Sequence, residues 1–128
     1  MKNLIFDIGG IIFDDSKANM EKLLNKNCDL LYRKVYGKCF KKCLLGEKTV
    51  DSLIQESLND KNYDEIKYML YKNNLPVTYP IIRENFEYIK TLKDKYNLYL
   101  LTNITEDSYN YVNKVINIEK NFKGGVYS

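Results

Sequence analysis

An aspartate followed by two glycines near the start of the chain is the first group of residues that could carry out chemistry. Asp7-Ile8-Gly9-Gly10 comes directly after the apolar run Leu4-Ile5-Phe6, which is typical of a buried parallel strand. A carboxylate at the end of such a strand can attack phosphorus as a nucleophile. Glycines let the backbone come close to an anion and present N–H groups to it. The alternative is an ordinary exit from a strand into a turn.

A second polar group follows another apolar run. Leu98 to Leu101 is apolar and ends at Thr102-Asn103, and Thr105 is the expected N-cap of the next helix. A hydroxyl at a strand tip can hydrogen-bond a phosphoryl oxygen, and the N-terminus of a helix attracts the same anion. Taken alone, these residues are better explained as a simple cap and loop. Two strand tips that both carry anion-binding groups are a more specific signal of an anion site than either tip alone.

The order of the elements around these tips predicts an α/β fold with a parallel sheet. Lys2 to Asp7 and Leu98 to Leu101 are expected strands, and a third strand begins near Gly125. Residues 75–77 are expected to be a linker, and the apolar spacing predicts a helix over 78–96 with its proline in the first turn. Outside the segment that follows the first strand, the order is β-α-β-α-β, which favours right-handed crossovers.

The segment between the first two strands has a helical pattern from Ser16 to Asn74. Gly46 separates two of its helices, and Thr49 is the expected cap of the second. Asn62 and Glu65 have the spacing of a capping box at the start of a further helix. The segment is therefore predicted to be a helical insertion in the α/β core.

These motifs resemble those of the haloacid dehalogenase (HAD) superfamily. Residues 6–14 resemble the first motif of its phosphatase-like branch, which reads Asp-x-Gly-Asn/Gly-Val/Ile, and residues 98–103 resemble the second, an apolar strand that ends in Ser or Thr. Gly46-Glu47, at the start of a cap helix, is also similar to that branch. Residues 122–128 resemble the stretch that leads toward the third motif.

The resemblance implies a Rossmann-like parallel sheet with an inserted helical cap. Residues 1–14 and 78–128 would form the α/β core, and residues 15–77 would form the cap. The third-motif lysine and the fourth-motif acidic residue of the family are not found in the sequence, because Lys120 and Lys123 come too early to match the former. We therefore expect a core that is truncated at its C-terminal side.

The resemblance also implies a role for each motif residue. Asp7 would be the nucleophile that forms an aspartyl-phosphate, and Gly9, Gly10, Thr102 and Asn103 would bind the phosphoryl group. Magnesium would be held by the carboxylate of Asp7 and the backbone carbonyl of Gly9. The implied activity is hydrolysis of a phosphomonoester, with a small phosphorylated metabolite as substrate.

Two departures from the family pattern bear on activity. Most phosphatases of the family have a second aspartate two residues after the nucleophile, which protonates the leaving group, whereas this chain has Gly9. Asp14, Asp15 or water could take over that role. Because the family's later acidic ligand is not present either, we expect magnesium to bind weakly, unless another carboxylate such as Asp14 or Asp107 completes its site.

Two other functions are compatible with the same residues. One is a catalytically impaired remnant of such an enzyme that acts as a binding or interaction module. The other is dehalogenation, which uses the same nucleophile without a metal. The Gly9-Gly10 loop is closer to the phosphatase branch.

The charge, the hydropathy and the cysteines of the chain limit its expected partners and location. The net charge is only +3 and the lysines are spread over the chain, so nucleic acid is not an expected partner. No segment resembles a signal peptide or a membrane span. Cys28, Cys39 and Cys43 are expected to be free thiols in the cytoplasm. With no later strand beside it, the first strand would be an unprotected apolar edge. We therefore expect a homodimer through that strand, aggregation, or a chain that is a fragment of a longer protein.

Overall fold

A computed structural model describes residues 1–127, with the last two of them as backbone only. The predicted start of a third strand is confirmed, and Ser128 of that segment lies outside the described residues. The elements follow one another along the chain as β1 (Lys2–Phe6), α1 (Lys17–Leu24), α2 (Asp29–Val35), α3 (Lys38–Leu44), α4 (Val50–Glu56), α5 (Tyr63–Leu70), a 3-10 turn (Lys72–Asn74), α6 (Leu75–Thr78), α7 (Arg83–Thr91), β2 (Tyr96–Thr102), α8 (Glu106–Ile116), α9 (Ile118–Asn121) and β3 (Gly124–Tyr127).

The three strands form a parallel sheet in the order β1-β2-β3. Leu4 lies opposite Leu98, and Phe6 lies opposite Leu100. One buried core contains Leu98 and Leu100 of β2 together with apolar residues of both α7 and α8. The two connecting helices therefore cover the same face of the sheet, as right-handed crossovers require when each new strand is added on the same side.

Over the described residues, the opposite face of the sheet is not covered by a helix. Ile5 of β1 is 65% exposed and Leu101 of β2 is 56% exposed. The apolar run of β1 is therefore not buried throughout, because both crossover helices lie on the other face and leave Ile5 exposed. In the described sheet β1 has a partner on one side only. Pairing of two copies through this edge stays a prediction.

Helices α1 to α5 enclose a second buried core. Its most buried members come from widely spaced positions, such as Met20, Cys28 and Met69. Cys28 and Cys43 are buried, Cys39 is exposed, and all three thiols are free. None of the helices in residues 1–127 combines the length and the apolar character needed to cross a bilayer.

Several helix starts agree with the sequence prediction. The side chains of Ser16, Thr49 and Thr105 each accept a hydrogen bond from the backbone N–H three residues later, which is the usual geometry of an N-cap. The capping box at Asn62 and Glu65 is wrong, because the Asn62 amide donates to the Glu65 carboxylate at 2.8 Å and caps no backbone group.

The return from the helical insertion to the sheet differs from the prediction. The expected linker at 75–77 is the short helix α6, in which Leu75 is buried in the core of the sheet. The expected helix over 78–96 is confined to Arg83–Thr91. The segment before it is held by β-type contacts instead, because Asp14 N–H donates to the Pro80 carbonyl at 2.9 Å and Ile82 N–H donates to Ile12 at 2.7 Å.

Tyr36 of the insertion joins the two cores, since its ring packs against both. Its hydroxyl lies 2.6 Å from the hydroxyl of Tyr79. The Tyr79 carbonyl accepts a hydrogen bond from Tyr111 of α8 at 2.7 Å, and its ring packs on Phe13 at 5.0 Å. Burial raises the pKa of both Tyr36 and Tyr79, so both hydroxyls stay protonated at neutral pH. The pair links the helical insertion to the sheet.

Replacing Tyr36 with phenylalanine should lower the free energy of unfolding by about 1–3 kcal/mol, because the buried Tyr79 hydroxyl loses its partner. Urea unfolding measures the change. Tyr88→Phe is the matched control, since Tyr88 is 66% exposed. Equal stability of the two variants would contradict a structural role for the pair.

Candidate active site

The carboxyl ends of β1 and β2 meet at one edge of the sheet. Asp7 is the first residue after β1, and Thr102 is the last residue of β2. The strands are parallel neighbours with Phe6 opposite Leu100, so the structure brings these two predicted site residues to the same edge. Ligands of open parallel sheets bind at this edge.

Asp7 begins a tight loop that is held in place by buried side chains and backbone hydrogen bonds. Ile8 and Ile12 are fully buried, and the Ile8 carbonyl accepts hydrogen bonds from the N–H groups of residues 11, 12 and 13. The Asp7 side chain is exposed and accepts a hydrogen bond from Ile8 N–H at 2.7 Å. The loop therefore fixes the backbone beneath Asp7 while its carboxylate faces solvent.

The two glycines of the loop have different roles. Gly10 has φ +79°, a conformation that a side chain would strain, and its N–H donates to the Phe13 carbonyl at 2.9 Å. Gly10 thus shapes the turn, and this N–H is already used within the loop. Gly9 does not have a positive φ, and the atoms nearest to the point that a Cβ on it would occupy belong to Asp15 and Phe13.

The hydroxyl of Thr102 has no hydrogen-bond partner among the described residues. Thr102 is only 6% exposed, and its Oγ1 is buried. Leaving such a group without a partner costs about 1–3 kcal/mol, and in a folded protein it calls for an explanation. A bound anion at the strand tip would satisfy the hydroxyl. Asn103, the next residue, is exposed.

The helix that follows the second tip is capped by its own side chains. Thr105 accepts from Ser108 N–H at 3.2 Å, and the two hydroxyl oxygens are 3.0 Å apart. Asp107 in the first turn faces the helical insertion, where burial raises its pKa and the nearby Asp51 carboxylate raises it further. These two carboxylates line a cleft of about 550 Å³. Sequence reasoning missed this pairing, because nothing local connects residues 51 and 107.

Asp14 and Asp15 have different contacts in the structure, although the sequence did not distinguish their roles. Asp14 accepts a hydrogen bond from Ser16 N–H at 2.9 Å and belongs to the start of α1. Asp15 turns toward Gly9, where its Oδ2 lies 3.2 Å from the point that a Cβ on Gly9 would occupy. Burial raises the pKa of Asp15, and the carboxylates of Asp14 and Asp7 raise it further.

The described residues do not make a complete magnesium site. No group of three or more His, Cys, Asp or Glu side chains converges in residues 1–127. Asp107, one possible substitute, belongs to the cleft beside Asp51. The carboxylate of Asp7 and the carbonyl of Gly9 remain as candidate ligands, and they are fewer than a hard cation needs. No catalytic step is therefore assigned to a metal.

Thr102→Val should leave the free energy of unfolding unchanged or raise it by about 1 kcal/mol, because the hydroxyl it removes has no partner in the described part of the chain. Thr105→Val is the matched control and should lower that free energy by about 0.5–2 kcal/mol through loss of the N-cap. Denaturant unfolding compares the two. A loss at Thr102 as large as that at Thr105 would show that the Thr102 hydroxyl has a structural partner.

Comparison with known proteins gives matches in structure alone. No protein-family model matches the sequence, and no curated protein is significantly similar to it. A HAD family enzyme of Bacteroides thetaiotaomicron, crystallised with magnesium and inorganic phosphate, matches 98% of this chain and 67% of its own at 19% identity, with a TM-score of 0.60. The HAD-hydrolase YfnB of Bacillus subtilis, bound to magnesium, matches 99% of this chain and 65% of its own at 18% identity, with a TM-score of 0.58.

A third structural match is to a protein that is named for a different activity. A protein of Thermotoga maritima described as a β-phosphoglucomutase matches 99% of this chain and 61% of its own at 20% identity, with a TM-score of 0.54. The chain thus spans about two thirds of the length of these enzymes. The predicted α/β architecture is confirmed, and the chain has the haloacid dehalogenase fold.

Proposed function

We propose that this chain is a phosphomonoester hydrolase that acts through an aspartyl-phosphate at Asp7, with a small phosphorylated metabolite as substrate. The observation that carries the proposal is the meeting of two groups at one sheet edge. An exposed carboxylate follows β1, and a buried hydroxyl that has no partner within residues 1–127 ends β2. A carboxylate is a nucleophile toward phosphorus, and a fixed hydroxyl beside it can hold a phosphoryl oxygen.

The proposed reaction has two steps. In the first, an oxygen of Asp7 bonds to phosphorus and the bond from phosphorus to the leaving-group oxygen breaks. In the second, water attacks the same phosphorus, the bond to Asp7 breaks and inorganic phosphate leaves. Thr102 would hold a phosphoryl oxygen through both steps, with backbone near Gly9 and the exposed Asn103 completing the contact.

Magnesium is part of the proposal at the level of the fold family. Enzymes with this fold were crystallised with magnesium, and one of them with inorganic phosphate. Bound magnesium would neutralise phosphoryl charge beside Asp7. In this chain the carboxylate of Asp7 and the carbonyl of Gly9 are the proposed ligands, with water or substrate oxygens supplying the others.

Calorimetric titration with magnesium should show no saturable binding at concentrations comparable to that of the protein, because so few ligands converge. Asp7→Asn should abolish the weak heat that remains at high magnesium. Tight, stoichiometric binding would contradict the incomplete site and would require a further carboxylate from this chain.

Replacing Asp7 with asparagine should lower the hydrolysis of an aryl phosphate by roughly 10⁴-fold or more, as loss of a catalytic nucleophile does. The change keeps the size of the side chain. Asp94→Asn, at an exposed position in the turn before β2, is the control and should retain full activity.

Two outcomes of the same assay would count against the hydrolase. If Asp7→Asn is as active as the natural chain, Asp7 is not the nucleophile. If the natural chain hydrolyses no phosphate ester but binds inorganic phosphate in calorimetry, and Thr102→Val weakens that binding, the chain is a binding module that has kept the site without the reaction.

A further inference from the structure

The first step of the proposed reaction creates a demand for a proton. When the leaving group is an alcohol, the oxygen that separates from phosphorus carries a negative charge that is far more stable once protonated. A positioned carboxylic acid can supply the proton as the bond breaks. The donor must lie beside Asp7, on the side from which the leaving group departs.

The space above Gly9 is filled by the carboxyl group of Asp15. Its Oδ2 lies 3.2 Å from the point where a Cβ on Gly9 would be, closer than an ordinary van der Waals contact. A side chain at position 9 would therefore require the Asp15 carboxyl group to shift by a few tenths of an ångström. The carboxyl group of residue 15 thus borders the space that a side chain at residue 9 would take.

Asp15 is held in this position by contacts from the helical insertion and from the segment that returns to the sheet. Its backbone carbonyl accepts a hydrogen bond from the hydroxyl of Tyr32 in α2 at 2.9 Å. The residue before it is tied to the segment that returns from the insertion, through the bond from Asp14 N–H to the Pro80 carbonyl. The residue after it, Ser16, is the N-cap of α1. The backbone of Asp15 is thus fixed on both sides.

The other carboxylates near this edge have different surroundings. Asp14 is engaged with Ser16 N–H, and Asp107 faces Asp51 across the cleft. Asp15 is partly buried, and its carboxyl group lies against Gly9, in the loop that Asp7 begins. The geometry therefore favours Asp15 over the other two carboxylates as the proton donor.

We propose that Asp15 is a catalytic residue of this hydrolase and gives its carboxyl proton to the leaving-group oxygen. The inference rests on the function proposed above. As the Asp7–phosphorus bond forms and the bond from phosphorus to the leaving oxygen breaks, the proton moves from Asp15 to that oxygen. When water then attacks phosphorus and the bond to Asp7 breaks, the Asp15 carboxylate takes a proton from the water and returns to its starting state.

The test compares two substrates that differ in their need for a proton. The p-nitrophenolate anion leaves readily without one, whereas the ethoxide of ethyl phosphate does not. Asp15→Asn should lower kcat/KM for ethyl phosphate by about 10²–10⁴-fold, the usual contribution of a general acid, and should affect p-nitrophenyl phosphate far less. Asp94→Asn, at an exposed position in the turn before β2, should leave both rates close to those of the natural chain.

A relocated carboxyl group gives a second, independent test. Asp15→Ala should lose activity on ethyl phosphate, and adding Gly9→Asp to it places a carboxyl group in the space that the alanine vacates. The double variant should recover a large part of that activity. Gly9→Asp with Asp15 intact should add little activity, because Asp15 already supplies the proton. An equal gain from Gly9→Asp with and without Asp15 would show that Asp15 has no such role. Thermal unfolding of each variant shows whether it is folded.

The outcomes separate this inference from the function on which it rests. Equal losses on the two substrates in Asp15→Asn, or a double variant no faster than Asp15→Ala, would overturn the role of Asp15 and leave the hydrolase intact. A natural chain that hydrolyses neither ester, or an Asp7→Asn variant that hydrolyses both, would overturn the proposed function and the role of Asp15 with it.

Discussion

The parallel pairing of β1 with β2 is the interaction on which the rest of the structure depends. It joins residues 2–6 to residues 96–100 across most of the chain. Closing so long a loop is entropically unfavourable, and the buried core beneath the sheet, with Leu98 and Leu100 at its centre, offsets that loss. Only this pairing places the end of β1 beside the end of β2, and therefore Asp7 and Thr102 at one edge.

The helical insertion leaves and rejoins the sheet at adjacent points. The outgoing segment at 12–14 and the returning segment at 80–82 are bonded to each other, and the hydroxyl pair of Tyr36 and Tyr79 holds the insertion against them. The same outgoing segment carries Asp15, whose backbone is bonded to Tyr32 of the insertion. The position of the proposed proton donor thus depends on how the insertion packs against the core.

Most features that depend on local chemistry were predictable from the sequence, although the capping box predicted at Asn62 and Glu65 is wrong. The N-caps at Ser16, Thr49 and Thr105 require only a hydroxyl before a helix, and the strand tips at Asp7 and Thr102 require only the end of an apolar run. Features decided by distant contacts were not. Leu75 is helical and lies in the core of the sheet, and the loop turns Asp15 toward Gly9 while Asp14 bonds to Ser16 N–H.

Direct detection of the phosphoryl group on the enzyme tests the central claim most simply. The protein is mixed with an aryl phosphate, quenched in acid within one turnover, digested and analysed by mass spectrometry. The account predicts one added phosphoryl group on the peptide that contains Asp7, and none in the Asp7→Asn variant. Release of the phenol without a phosphorylated peptide, or with the phosphoryl group on another residue, would contradict it.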